Sequence, residues 1–258
     1  MLDVAFEKRV ATLKIDRPTR RNALGTELVE RLGEVFQKLG TDLDVGAIVL
    51  TGSPPSFCAG SDLKELGAMD VRGMVRHEAD TAFMARSIGL LDVPVIAAVE
   101  GHALGGGFIL AMSCDIVVTS ETAKWSLPEV PNGWLPPWGL KALTSRVGAP
   151  TARRLVWGYE VLDGASAHDI GVADYLAPHG GALAKAQEIA ARIASLPRAA
   201  VKSTKRYFQS EVLGQAEVWD FQAGEIFAEN CSHEEAISTL KKFAAPRQTA
   251  GEHSPSQS

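Results

Sequence analysis

Over residues 4–17 apolar and polar positions alternate as in a pair of strands, with Ala11, Leu13 and Ile15 on one face and Val10, Thr12 and Lys14 on the other. The first of these faces is the one expected to be buried. From Thr26 the period lengthens. Leu28, Leu32, Val35 and Leu39 recur at three and four residues, the spacing of one buried helix face, and Gly40 marks the expected end. Three later runs are alike: Ala47-Ile-Val-Leu-Thr51 before Gly52, Val95-Ile-Ala-Ala-Val99 before Gly101, and Asp115-Ile-Val-Val-Thr119. Each has the length of a strand, and helical pattern follows the first two, from Leu63 onward and over 105–112. A recurring strand-and-helix unit predicts an α/β core.

Beyond Ala177 the pattern is helical alone, over 181–195, 198–208 and 217–227. The run Ser232-His-Glu-Glu235 has the form of a capping box, in which Ser232 and Glu235 satisfy each other's free amides at the start of a last helix. No Pro/Gly/Ser linker separates the two textures. The expected organisation is one core over residues 1–195, a helical C-terminal region over 196–250 and a disordered tail over 251–258.

Composition narrows the partners. With 258 residues, 46% of them hydrophobic, the chain can bury a sizeable core. A formal net charge of −5 gives no basic footprint for nucleic acid, and the cluster Lys202-Ser-Thr-Lys-Arg206 is too short to supply one. No apolar run approaches the roughly 18 residues of a membrane span. The first ten residues carry Asp3, Glu7, Lys8 and Arg9 instead of a basic stretch followed by an apolar one. The expectation is a soluble, unexported, cytoplasmic protein that meets no membrane. Three cysteines, Cys58, Cys114 and Cys231, lack CxxC spacing or a companion histidine at ligand distance, which predicts free thiols and no structural metal.

Three segments carry candidate chemistry. Ser56-Phe-Cys-Ala-Gly-Ser-Asp-Leu-Lys-Glu65 and Gly101-His-Ala-Leu-Gly-Gly-Gly-Phe108 each place small residues where loop passes into helix, so backbone amides there can point at an anion. Two such ends could grip one oxygen, although Gly105 to Gly107 alone would serve equally as a tight turn. A phosphate loop is excluded: there is no GxxxxGK[ST], and no GxGxxG with an acid roughly 20 residues on. The third segment, Trp125 to Gly139, sets Glu129 among prolines, tryptophans and leucines. A carboxyl group there is expected to lose solvent, which raises its pKa and suits it to exchange a proton near neutral pH. An exposed surface turn is the plainer alternative. A serine hydrolase is disfavoured because GxSxG is absent.

The order and spacing of FCAGSDLKE, PVIAAVEGHALGGGF, CDIVV and LPEV resemble the enoyl-CoA hydratase/isomerase (crotonase) superfamily, from about Val10 to Phe243. The resemblance implies an α/β spiral of ββα units, with a helical C-terminal region that helps to build a homotrimer or a dimer of trimers. It also implies an acyl-CoA thioester as substrate, coenzyme A entering only as part of it and no other cofactor. By matching motif positions, the amides of Ser61 and Gly106 form the oxyanion hole. Ala59, Gly60, Ser61, Asp62 and Leu63 lie along the adenine and pantetheine parts of coenzyme A, with Gly105 and Trp134 also at the substrate. An enolate formed beside the thioester collects its charge on oxygen, where one preorganised donor is typically worth about 100- to 1000-fold in rate.

One departure matters. Typical hydratases of this superfamily carry a glutamate two residues after the triple glycine as well as one in the later PE segment; here the first position is Ile109. Hydration is a task that a carboxylate pair shares, whereas moving a double bond from the 3,4 to the 2,3 position needs one base and a dry site. The segment Trp134-Leu-Pro-Pro-Trp138 is similar in placement to a stretch of mitochondrial Δ3,Δ2-enoyl-CoA isomerases and would supply the dry wall. Isomerisation with Glu129 as the single acid/base is therefore the expectation. Enoyl-CoA hydration, or a non-catalytic acyl-CoA-binding role, is the alternative. His77 and His102 are set down as structural or surface residues, Asp62 as a residue that caps the helix start or orients the loop, and Arg20 and Arg21 as a basic turn that could equally meet the phosphates of coenzyme A.

Overall fold

A computed structural model describes residues 1–244, so the expected tail over 251–258 lies outside the described residues. Along the chain run β1 (Leu2–Glu7), β2 (Val10–Ile15), α1 (Thr26–Thr41), β3 (Ala47–Gly52), β4 (Ser56–Cys58), α2 (Leu63–Leu66) and α3 (Val71–Leu90). They are followed by β5 (Val95–Val99), β6 (His102–Leu104), α4 (Gly106–Met112), β7 (Ile116–Ser120), β8 (Lys124–Ser126), α5 (Glu129–Asn132) and α6 (Leu140–Val156). The remainder is β9 (Leu162–Asp163), α7 (Gly164–Asp169), β10 (Tyr175–Ala177), α8 (Ala182–Ala194), α9 (Arg198–Leu213), α10 (Ala216–Asn230) and α11 (Glu234–Ala244).

Two sheets share the work. A six-stranded sheet runs in the order β1-β2-β3-β5-β7-β10, with β1 antiparallel to β2 and every other pair parallel. A four-stranded sheet runs β4-β6-β8-β9, its first three strands parallel. Three times in succession a strand of the large sheet is followed by a strand of the small one and then by helix: β3-β4-α2, β5-β6-α4 and β7-β8-α5. This is the α/β spiral that the motifs imply, and it brings the ends of β4, β6 and β8 side by side.

The large sheet is covered on both faces. Ala11, Leu13 and Ile15 are fully buried with Ile48, Leu50, Val95 and Ala97 against α1 and α3. Val10, expected on the open face, is buried as well, because α8 lays Ala182, Ala186, Ala190 and Ala194 over Val10, Val49, Ile96 and Val118. Coverage on both faces is why the inner strands read as continuous apolar runs instead of alternating.

Local expectations are corrected in three places. Helix α1 continues through Gly40 to Thr41. The helical pattern from Leu63 is broken into the single turn of α2 and the long α3, whose Asp70 caps the new start by accepting from Gly73 N at 2.7 Å. The capping box does not form: Ser232 Oγ turns back to donate to the Glu229 carbonyl at 2.6 Å. The small sheet, α6, α7 and β10 escaped the sequence reading: two- and three-residue strands and the six-residue α7 leave little periodic signal, and α6 is interrupted by a kink at Gly148 next to Pro150.

Phe36 is fully buried in the principal core. Phe36→Ala is expected to cost about 3–5 kcal/mol of unfolding free energy by the loss of transfer energy and the opening of a cavity. Denaturant unfolding should show this as a lower midpoint at unchanged slope.

Candidate active site

The strand ends set the chemistry. Strand β4 leads into Ala59–Leu63 and α2, its neighbour β6 into Gly105 and α4, and the next strand β8 into Pro128 and α5, so all three candidate segments meet at one edge of the small sheet. The first two touch through backbone. Gly60 has φ +81°, and a methyl there would lie 2.8 Å from Leu104 O and 3.0 Å from Gly106 N. Gly105 has φ +53°, and its methyl would strike Glu129 Oε1 at 2.7 Å. Left-handed backbone and absent side chains allow the loops to close on each other and on the carboxylate.

Ser61 is held from both sides: Leu24 N donates to Gly60 O at 2.8 Å, and Asp62 N donates to Leu24 O at 3.0 Å. Its own amide and that of Gly106 donate to no backbone carbonyl among the described residues. Gly106 is the first residue of α4, where helix geometry leaves the N–H unpaired. The two amides share one cleft, since a methyl on Gly106 would come within 3.6 Å of Ser61 N. They can point at one anionic oxygen.

The three segments line one narrow cleft that opens to solvent. Of the residues expected at the site, Ala59, Gly60, Ser61, Leu63, Gly105, Gly106, Glu129 and Trp134 all line it. Asp62 does not; it sits at the start of α2 without a capping bond and turns its buried carboxylate to Arg17 at 3.4 Å and Arg20 at 3.5 Å. That pairing occupies Arg20 and orients the loop. His77 faces a separate groove between α1 and α3, and His102 lies 3.4 Å from Pro55 O; neither lines the cleft.

Trp134, Pro136, Pro137 and Trp138 form one wall, as the aromatic segment suggests, and both tryptophans are buried. The C-terminal region holds this wall in place. Trp134 packs edge-on to Phe227, Leu135 N donates to Asn230 Oδ1 at 3.0 Å and Gly139 N to Asp220 Oδ1 at 2.7 Å. Ile109 also lines the cleft and presses on Gly139, so its position carries bulk where an acid would otherwise stand.

Glu129 opens α5 and is buried, and its Oε2 has no hydrogen-bond partner. Burial pushes its carboxyl up to about 8, opposed by a backbone hydrogen bond and reinforced by the nearby Glu78. An exposed turn is therefore ruled out for this residue.

Glu78 is the residue that sequence reading missed. It comes from α3, lines the same cleft and is 4% exposed. Ser61 Oγ donates to its Oε1 at 2.6 Å and Trp138 Nε1 to its Oε2 at 2.8 Å. Burial raises its pKa, against the neighbouring His77 and the two hydrogen bonds. The sequence signal was present but disguised. Met74, Glu78, Thr81, Ala85 and Ile88 share the buried face of α3, while the charged run Arg76 to Asp80 has the look of a solvated one. The three thiols contribute no nucleophile: burial pushes Cys58 and Cys114 up to about 12 and Cys231 up to about 11. Among the described residues no helix is long and apolar enough to cross a membrane.

A carboxyl raised from its ordinary range to about 8 loses stability for the fold as pH climbs, because the unfolded chain releases the proton first. Glu129→Gln is therefore expected to be more stable than wild type, by an amount that grows from near pH 4.5 to near pH 8, then levels at a few kcal/mol. Thermal or denaturant melts across that range would show it; a gap that does not change with pH would contradict the burial of a titrating Glu129.

The sequence model for enoyl-CoA hydratase/isomerase matches residues 5–250. The chain is 32% identical over 247 residues to the short-chain-enoyl-CoA hydratase of Clostridium acetobutylicum, covering 95% of each chain. It is 32% identical over 224 residues to the 2,3-dehydroadipyl-CoA hydratase of Escherichia coli, covering 86% of this chain and 85% of that one. Its fold superposes on an enoyl-CoA hydratase/isomerase from Mycobacterium paratuberculosis with a TM-score of 0.83 at 26% identity, over 93% of this chain and 97% of the other.

Proposed function

The chain belongs to the enoyl-CoA hydratase/isomerase family of acyl-CoA enzymes, and from that premise we propose that it isomerises 3-enoyl-CoA thioesters to their conjugated 2-enoyl forms. The amides of Ser61 and Gly106 receive the thioester oxygen, with coenzyme A running past Ala59, Gly60 and Leu63. Glu129 removes a proton from carbon 2, and the C–H electron pair enters a dienolate whose charge rests on the held oxygen. The same carboxyl then returns the proton at carbon 4, which leaves the double bond between carbons 2 and 3. Nothing is consumed, and the acyl-CoA itself supplies coenzyme A.

The observation that carries this reading is the free Oε2 of Glu129 in an apolar cleft. Glu78, the other carboxylate there, accepts from Ser61 and Trp138 through its two oxygens, which supports assigning the proton transfer to the unpartnered Glu129. Hydration of 2-enoyl-CoA is the second reading. It is favoured by the hydratase names of the relatives and by the presence of two carboxylates in one cleft.

Conjugated-thioester absorbance separates the two. With a 3-enoyl-CoA the wild type should gain absorbance and Glu129→Gln should lose about 100- to 10,000-fold in rate, the usual worth of a positioned acid/base. Loss of absorbance from a 2-enoyl-CoA would mean hydration, and silence with both would leave a binding role. Because the base must be ionised, kcat/KM should rise with pH and level above about 8.

Assembly as a homotrimer or a dimer of trimers belongs to the same proposal. Helix α10 exposes Val218, Phe221 and Ile226, an apolar surface that a second copy would cover. Sedimentation should report three or six chains, and Phe221→Glu should shift the distribution toward smaller species.

A further inference from the structure

The two amides assigned to the thioester oxygen stand on different segments and are joined by no direct bond. Ser61 belongs to the loop after β4, whereas Gly106 begins α4 and is overlaid by Trp138, whose Cζ2 would meet a methyl on Gly106 at 3.1 Å. One side chain reaches both halves. Glu78, from the middle of α3, accepts from Ser61 Oγ at 2.6 Å through one oxygen and from Trp138 Nε1 at 2.8 Å through the other.

We propose that Glu78 is a positioning residue that clamps the oxyanion hole, fixing Ser61 directly and Gly106 through the indole that rests on it. The proposal deepens the reading of Ser61 and Gly106 given above. Its chemistry explains why an acid is tolerated at a buried helix position: a carboxylate accepts two donors at once, and a buried carboxylate is stable only where its lone pairs are met. A displacement of either amide weakens the bond to the developing oxyanion while leaving the rest of the coenzyme A contact untouched, so the loss falls on kcat and spares KM.

The variants follow from hydrogen-bond inventory. In Glu78→Gln the amide oxygen can face Trp138 Nε1, and the amide N–H can donate to Ser61 Oγ, whose hydroxyl turns to accept; both tethers survive without the charge. Glu78→Leu removes both. The probe is acetoacetyl-CoA, a 3-ketoacyl thioester whose enolate absorbs in the ultraviolet, titrated with pH on the protein, alongside kcat and KM for the active enoyl-CoA.

Glu78→Leu is expected to lower kcat about 10- to 100-fold with little change in KM, and to raise the pH at which the bound probe ionises by about one to two units. Glu78→Gln should stay within about threefold of wild type, rescuing the geometry without the charge. The direction of the probe's shift is decisive, because loss of a nearby negative charge alone would make the enolate easier to form. Ionisation at wild-type pH or below in Glu78→Leu would overturn the clamp. A Glu78→Gln variant as dead as Glu129→Gln would replace it by a proton-carrying role.

A wild type that never ionises the probe would remove the oxyanion reading and the clamp together; wild-type ionisation unchanged in Glu78→Leu would remove the clamp alone. Should Glu78→Leu not fold, Ser61→Ala and Trp138→Phe each cut one tether. The double variant should then lose less activity than the product of the single losses, since one cut already frees the carboxylate. Simple multiplication of the two losses would sink the proposal.

Discussion

The site depends on one close backbone approach, that of Gly60 to Leu104 and Gly106. No methyl fits between them. Parallel pairing of β4 with β6 brings the two strand ends together, and the absence of a side chain lets them meet with their amides turned outward. The same adjacency, carried one strand further to β8, places Glu129 against Gly105. The cleft is thus a consequence of strand order in a small sheet whose strands are only three residues long at β6 and β8.

Two buried carboxylates in one cleft are costly, because removing charge from water opposes folding unless partners meet it. The structure resolves the two differently. Glu78 is met by two donors, and its role is to hold neighbours. Glu129 is left with a buried oxygen that no donor meets, so its carboxyl keeps its proton up to about pH 8, well above the ordinary carboxylate range. An unsatisfied group of this kind is destabilising for the fold and useful for chemistry, the usual relation between strain and function.

The C-terminal helices do more than complete the outline. Asn230, Asp220 and Phe227 of α10 fasten the segment from Trp134 to Gly139, so the apolar wall of the cleft is anchored some ninety residues further along the chain. An apolar, desolvated carboxyl therefore requires the helical region as well as the spiral core. Val218, Phe221 and Ile226 of the same helix stay exposed.

Much of this was legible before any coordinates. Alternation over residues 4–17, short apolar runs and three-to-four spacing located every strand of the large sheet except β10, and most helices, because all are read from which residues must leave water. The glycine runs and the Pro-Glu segment marked the two amides and Glu129, since such residues are needed where backbone must approach closely or a carboxyl must dry out. The sequence could also say that an acid was missing at Ile109. What it could not say was that α3 would turn Glu78 inward to the same cleft, that Asp62 would face Arg17 and Arg20, or that α8 would cover Val10. Those outcomes depend on which elements pack against each other, and spacing along the chain carries no information about neighbours in space. Local pattern determined most elements and their buried faces; only tertiary packing decided which buried carboxyl was met by donors and which was left unmet.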